Sequence, residues 1–111
     1  MLHTVSLKEN GVFRRLYHRG SSAGSRYLVV YCRRNGAQVS RLGFTVSTKL
    51  GHAVVRNRVR RRLREIYRGL EPELKPGYDI VVVARSASVD AEFALLERNL
   101  RHLCEKLELL V

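Results

Sequence analysis

The chain has 111 residues, enough for one domain with a single modest core, and its 45% apolar content excludes wholesale disorder. It carries 21 Lys and Arg against 10 Asp and Glu, a net charge of +11, with a pI near 10.6. Basicity of that order points to a polyanionic partner, either nucleic acid or an anionic membrane surface. The opening residues, MLHTVSLKEN, lack the basic and apolar regions of a secretion signal, and no apolar run approaches a membrane span. A cytoplasmic protein is expected, with no membrane partner.

In chain order, Ser6 and Glu9 fit a capping box, and Asn10 offers a second helix start. Gly11 weakens the first choice, so the predicted helix is 11–19, stopped by Gly20. Phe13, Leu16 and Tyr17 share one face of it. SSAGS, 21–25, reads as a loop. RYLVVYCRR, 26–34, reads as a strand, and Asn35-Gly36 as a turn. RLGFTVS, 41–47, alternates, with Leu42, Phe44 and Val46 on one side. The two strands are expected to pair as an antiparallel hairpin.

Between Val55 and Leu70 stand seven arginines and one acid, Glu65. At helical spacing, Val55, Val59, Leu63, Ile66, Tyr67 and Leu70 span an arc of about 120°. Arg61, Arg64 and Arg68 lie opposite it, Arg58 and Arg62 on one flank, and Arg60 just beyond the other. Arg56 falls inside the arc, at the first turn. Packing on one face would thus hold a helix whose charge faces outward. Pro72 and Pro76 break the chain after it, and YDIVVVA, 78–84, suits a central strand covered on both faces. Ser88 is the expected N-cap of a last helix, with Asp90 in its first turn. Its stripe is Phe93, Leu96, Leu100, Leu103, Cys104 and Leu107. The order α-β-β-α-β-α predicts an α+β fold, a two-layer sandwich over a small sheet, as a single domain spanning 1–111.

Charge is unevenly distributed. From Asn10 to Arg64 there are fourteen Lys and Arg and no acid, while from Ser86 to Val111 five acids outnumber three bases. One side is therefore expected to face a polyanion, with the last helix on the back. Cys32 and Cys104 form no CxxC and are expected as reduced core thiols.

Hydrolysis of a phosphodiester by protein groups usually needs carboxylates holding metals, or a His pair. The basic segment has no carboxylate, and the only aspartates are Asp79 and Asp90. His3, His18, His52 and His102 show no metal spacing. Any cutting of phosphates would draw its chemistry from elsewhere. Phe13, Tyr17, Tyr31 and Phe44 are interleaved with Arg14, Arg15, Arg33 and Arg34. Rings beside arginines suit single-stranded nucleic acid, since bases stack while cations follow phosphates. The same rings could instead be core, Phe44 foremost because it alternates with Leu42 and Val46.

RLGFTVSTKLGHAVVRNRVRRRLREIYR, 41–68, closely resembles the signature of the bacterial ribonuclease P protein subunits. Val46, Ser47, Lys49, Gly51, Ala53, Val54, Arg56, Asn57 and Arg58 occur in the family's order. Phe13, Tyr17, Gly20, Tyr31 and YDIVVVAR extend the match over nearly the whole chain. The resemblance implies a protein that joins a large catalytic RNA, the complex removing the 5′ leader of precursor tRNA. Hydrolysis would be the RNA's, with Mg²⁺, and the protein alone would be inactive. It implies RNA contacts by Lys49, Arg56, Asn57, Arg58, Arg60, Arg61, Arg62, Arg64 and Arg68. It also implies a leader cleft lined by Phe13, Tyr17 and Tyr31, with Arg14 and Arg33 beside them. A left-handed β-α-β crossover around the arginine helix is part of the family's topology, against the general right-handed rule. In one departure from relatives, the first seven residues and the C-terminus lack extra Lys and Arg, so weaker contacts are expected at the two ends. The competing readings are a small ribosomal or ribosome-assembly protein, and a binder of membrane surfaces or acidic proteins.

Overall fold

A computed structural model describes all 111 residues. In chain order the elements are β1 (Thr4–Ser6), α1 (Asn10–Arg19), β2 (Ser21–Gly24), β3 (Leu28–Arg34), β4 (Ser40–Val46), α2 (Ala53–Leu70), β5 (Tyr78–Ala84) and α3 (Phe93–Lys106). Three short 3₁₀ turns, Thr48–Leu50, Glu71–Glu73 and Ser86–Ser88, punctuate them. The strands form one mixed sheet in the order β1-β4-β5-β3-β2. No helix is long and apolar enough to cross a membrane.

β5 is the centre of the sheet, antiparallel to β3 and parallel to β4. A strand apolar at five consecutive positions is best buried between neighbours with both faces covered. Ile80, Val82 and Ala84 enter one core, and Val81 enters another on the opposite face. The expected hairpin of β3 with β4 is therefore wrong, because β5 lies between them. The turn at Asn35-Gly36 exists, with Gly36 at φ +73°, but it crosses the end of β5. Asn35 shapes it: its Oδ1 accepts from the Ala37 N–H at 2.8 Å and its Nδ2 donates to the Val39 carbonyl at 3.0 Å.

Other boundaries differ from the sequence reading. SSAGS supplies an edge strand, β2, rather than a loop. Its small polar side chains carry no strand pattern; the backbone ladder to β3 alone defines it. Ser6 belongs to β1, which pairs in parallel with β4, so it caps nothing. Glu9 occupies the N-cap of α1 without a side-chain cap bond. Ser88 does not cap α3: it is buried and its hydroxyl donates to the Arg85 carbonyl at 2.6 Å, closing a 3₁₀ turn. α3 begins at Phe93, beyond Asp90.

The large core has 19 buried residues between the sheet and the pair α2 and α3. α1 packs on the other face over a cluster of four: Leu7, Val12, Leu16 and Val81. The α+β class stands, but α1 adds a partial third layer to the two that the sequence implied. Val59, Leu63, Ile66, Tyr67 and Leu70 of α2 are all buried. Each aliphatic among them contributes about 1.5–3 kcal/mol by burial. The six Arg–Arg pairs at i,i+3 and i,i+4 spacing along α2 oppose this by only about 0.2–0.5 kcal/mol each. Packing outweighs repulsion, so the charged helix is stable where it lies. Cys32 and Cys104 are free and buried in that core. Burial pushes their thiols up to about 11 and about 12, so both are neutral and inert near neutral pH.

Candidate nucleic-acid interface

α2 turns its apolar stripe inward, which leaves Asn57, Arg58, Arg61, Arg64 and Arg68 exposed. Arg68 shares its charge with Glu65 at 3.3 Å. Arg60 donates to the Asn57 side-chain carbonyl at 3.0 Å. Two of the expected contact residues also bond within the protein. The Arg56 Nε donates to the Gly51 carbonyl at 3.3 Å, bracing the turn before the helix. Arg62 donates to the Ala91 carbonyl, tying α2 to the segment ahead of α3. Arg58, Arg61 and Arg64 have no partner within the protein and project as free cations. Lys49 is also exposed, on the 3₁₀ turn just before the helix, where the Ser47 hydroxyl accepts the Lys49 N–H at 3.2 Å.

The aromatic residues separate by face. Phe44 points to the α2 side and packs on the large core, so it leaves the candidate set. Phe13, Tyr17 and Tyr31 come together on the opposite side, against α1. The Tyr17 and Tyr31 rings meet edge to face, with centroids 5.0 Å apart and planes at 78°. The Tyr17 hydroxyl pairs with the Thr45 hydroxyl at 2.6 Å, which fixes the ring over β4. Phe13 lies on Gly43, where any Cβ would collide with its ring, so only glycine lets α1 sit this close. Tyr31, Val81 and Gly43 form one row across the sheet, and α1 covers it. The next row, Val29, Val83 and Thr45, is half-buried and forms the floor of a groove. Tyr17 is 38% exposed at its wall.

Arg14 and Arg33 do not join these rings. Arg14 is exposed on α1. Arg33 lies beyond α1, in a second hollow with Arg15, Arg34 and Arg41. The expected five-residue cleft is thus three rings, with its two arginines elsewhere. Sequence alternation carried the signal for Arg33: in β3 it shares a face with Tyr31, but two residues further along, past the helix.

A cavity of about 370 Å³ was not foreseen. Its lining includes Phe13 from α1, Gly43 and Phe44 from β4, and Arg60 and Arg64 from α2. The charged helix and the aromatic groove therefore adjoin at Phe13. β1 forms another wall of this cavity and is clipped to the body by Glu71, which accepts from the N–H groups of Leu2 at 2.6 Å and His3 at 3.2 Å. No signal for β1 exists in the sequence, since three residues show no periodicity.

No group of three or more His, Cys, Asp or Glu is placed to hold a metal ion. Asp79 is occupied by Arg41, with paired bonds of 2.8 and 2.7 Å that hold the guanidinium above its usual range. The arrangement can present cations to phosphates and rings to bases.

Known proteins share this fold. The family model described as Ribonuclease P matches residues 1–108. The ribonuclease P protein component of Clostridioides difficile (strain 630) is 41% identical over 107 residues, covering 96% of this chain and 94% of that protein. The one from Caldanaerobacter subterraneus subsp. tengcongensis is 43% identical over 102 residues, 92% of this chain and 88% of its own. Among solved structures, the Staphylococcus aureus RNase P protein superposes with a TM-score of 0.86 at 33% identity, covering 96% of this chain and 97% of that one. The Thermotoga maritima RNase P protein gives 0.80 at 32% identity, covering 88% and 93%. A ribosomal or ribosome-assembly identity is not favoured by any of these likenesses, and the chain belongs to the bacterial ribonuclease P protein-component family.

Proposed function

We propose that this chain acts as the RNA-binding subunit of a cytoplasmic ribonucleoprotein that removes the 5′ leader of precursor tRNA. α2, with Lys49 ahead of it, docks on the catalytic RNA through Arg58, Arg61 and Arg64, supported by Asn57, Arg60 and Arg68. The groove of Phe13, Tyr17 and Tyr31 takes unpaired nucleotides of the leader, whose bases stack on the rings. The adjoining cavity lets leader and catalytic RNA be held side by side. Hydrolysis belongs to the RNA, with Mg²⁺. The protein's basic face has no carboxylate set suited to that ion, and the protein's share is to bind and position.

The observation that carries this reading is the set of unpartnered arginines on a helix fixed by its other face, beside a half-open aromatic groove. Reconstitution with the candidate catalytic RNA tests it. The protein should enhance precursor cleavage at low Mg²⁺ and tighten binding of precursor over mature tRNA. Purified protein freed of RNA should leave the precursor intact. Binding to structured RNA with no effect on cleavage would favour a ribosome-assembly role instead.

A further inference from the structure

α1 has two unlike flanks. Phe13 and Tyr17 lie along one, over the groove. Along the other, Arg15 overhangs a hollow of about 210 Å³ above the sheet row Arg33, Asp79 and Arg41. Arg15, Arg33 and Arg41 line this hollow from the α1 face against one carboxylate, Asp79, while Arg34 adjoins it from β3 and by alternation turns its side chain to the other face of the sheet.

That carboxylate is already committed. Arg41 binds it through both Nε and a terminal nitrogen, and the Asn35 Nδ2 donates to it at 3.1 Å. A bidentate pair of this kind neutralises its own two charges and leaves nothing for the neighbours. Arg15 and Arg33 keep their charge. Arg15 Nε reaches only the Gly11 carbonyl, at 3.4 Å. Arg34 is turned away from the hollow, 5.9 Å from the centroid of the Tyr78 ring on the large-core side. Arg33 has no hydrogen-bond or ion-pair partner. Cations converging on one concavity repel each other until an anion enters.

We propose that this hollow is a phosphate-binding site for RNA backbone, separate from both α2 and the aromatic groove. Planar guanidinium forks match the paired non-bridging oxygens of a phosphodiester. The site lies on the α1 face of the sheet, and α2 lies on the other. Its phosphate is therefore additional to those α2 holds. The proposal rests on the RNA-binding reading for the source of that phosphate, which is either the catalytic RNA or precursor tRNA.

The test uses the full chain with Arg15→Gln and Arg33→Gln combined, and Arg58→Ala in parallel. Both altered sites in the double variant are exposed, and a melting curve checks its fold; Arg33→Gln alone serves if it fails to fold. Inorganic phosphate, followed by NMR, should shift the amides of Arg33, Asn35 and Asp79 saturably in the wild type and in Arg58→Ala. The double variant should lose those shifts. In the reconstituted complex it should lose about ten-fold in affinity, in line with charge-assisted bonds. Loss against the catalytic RNA names that molecule as the source; loss confined to precursor tRNA names the substrate. Phosphate shifts confined to α2 would overturn the site. So would a loss with Arg58→Ala and none with the double variant, which leaves the RNA reading standing. Loss with neither would overturn the RNA reading, and the site's RNA role with it.

Discussion

α2 and α1 make opposite uses of the same sheet. α2 lies on a core of 19 buried residues and points unpaired arginines outward. α1 rests on a cluster of four, and its rings stay half-open. A stiff platform suits long-range attraction to phosphates, whose positions on folded RNA are fixed. A lightly held helix over a groove suits nucleotides of varied sequence, since stacking accepts any base. Local opening costs least where few apolar contacts must break. Amide exchange should therefore be faster in α1 than in α2 and β5. Equal protection in the two helices would end the contrast.

The largest expected effects come from the two anchors. Leu63→Ala in α2 and Leu16→Ala in α1 both remove fully buried side chains and should each cost about 2–5 kcal/mol. Their consequences should differ. Leu63→Ala lowers the stability of the whole domain, measured by urea unfolding. Leu16→Ala loosens α1 first and weakens leader binding while α2 still engages RNA. A parallel loss of both functions in Leu16→Ala would show that α1 and α2 fold as one unit.

Next in size is the groove itself. Tyr31→Leu keeps apolar bulk but removes the ring, and stacking is worth about 1–3 kcal/mol per base. Affinity of the complex for precursor tRNA should fall about ten-fold, with mature tRNA barely affected. Equal losses for both, with a lower melting temperature, would return Tyr31 to a purely structural role.

The arginines come third. With three unpartnered cations, α2 should contribute a slope of about −2 to −3 to log K against log[salt]. Arg58→Ala should make it shallower by up to about one unit. Arg62→Ala is expected to behave differently, because that side chain holds the Ala91 carbonyl. It should lower stability more and the slope less. A full unit of slope lost with Arg62→Ala, without loss of stability, would make it a phosphate contact after all.

Legibility followed periodicity. The stripes of α2 and α3 and the double-sided run of β5 are repeated patterns, and each element formed where its pattern placed it. β1 and β2 were invisible because three or four residues of Thr, Ser, Val, Ala and Gly carry no period; only their neighbours make them strands. The β3–β4 pairing misled because a turn signal fixes local direction, not which strand fills the space beside it. The left-handed crossover expected around α2 rests on family resemblance alone, since general rules point the other way. In the site, helical spacing identified the outward arginines, but it could not show that Arg56 and Arg62 bond to carbonyls. Nor could it show that Arg33 lies on the far flank of α1 from Tyr31.

The smallest expected effect is a pH dependence in the clip that holds β1. Burial alone would raise the Glu71 carboxyl, but the Thr4 hydroxyl and the N–H groups of Leu2 and His3 more than reverse that and hold it below its usual range. The unfolded chain then binds the proton more readily than the folded one. Stability from Glu71 is therefore fully present above the ordinary glutamate value of 4.5 and is lost as pH falls through the lower folded value. Urea unfolding between about pH 6 and pH 3, in wild type and Glu71→Gln, isolates this contribution from the other carboxylates. The stability gap between the two proteins should narrow as pH falls, because protonation gives the wild type the same neutral side chain. The clip would also release β1 from the wall of the cavity where Phe13 meets Arg60 and Arg64, so exchange of the Leu2 and His3 amides should quicken in step. A gap that stays constant across this range would mean the carboxylate's charge does not hold β1 in place.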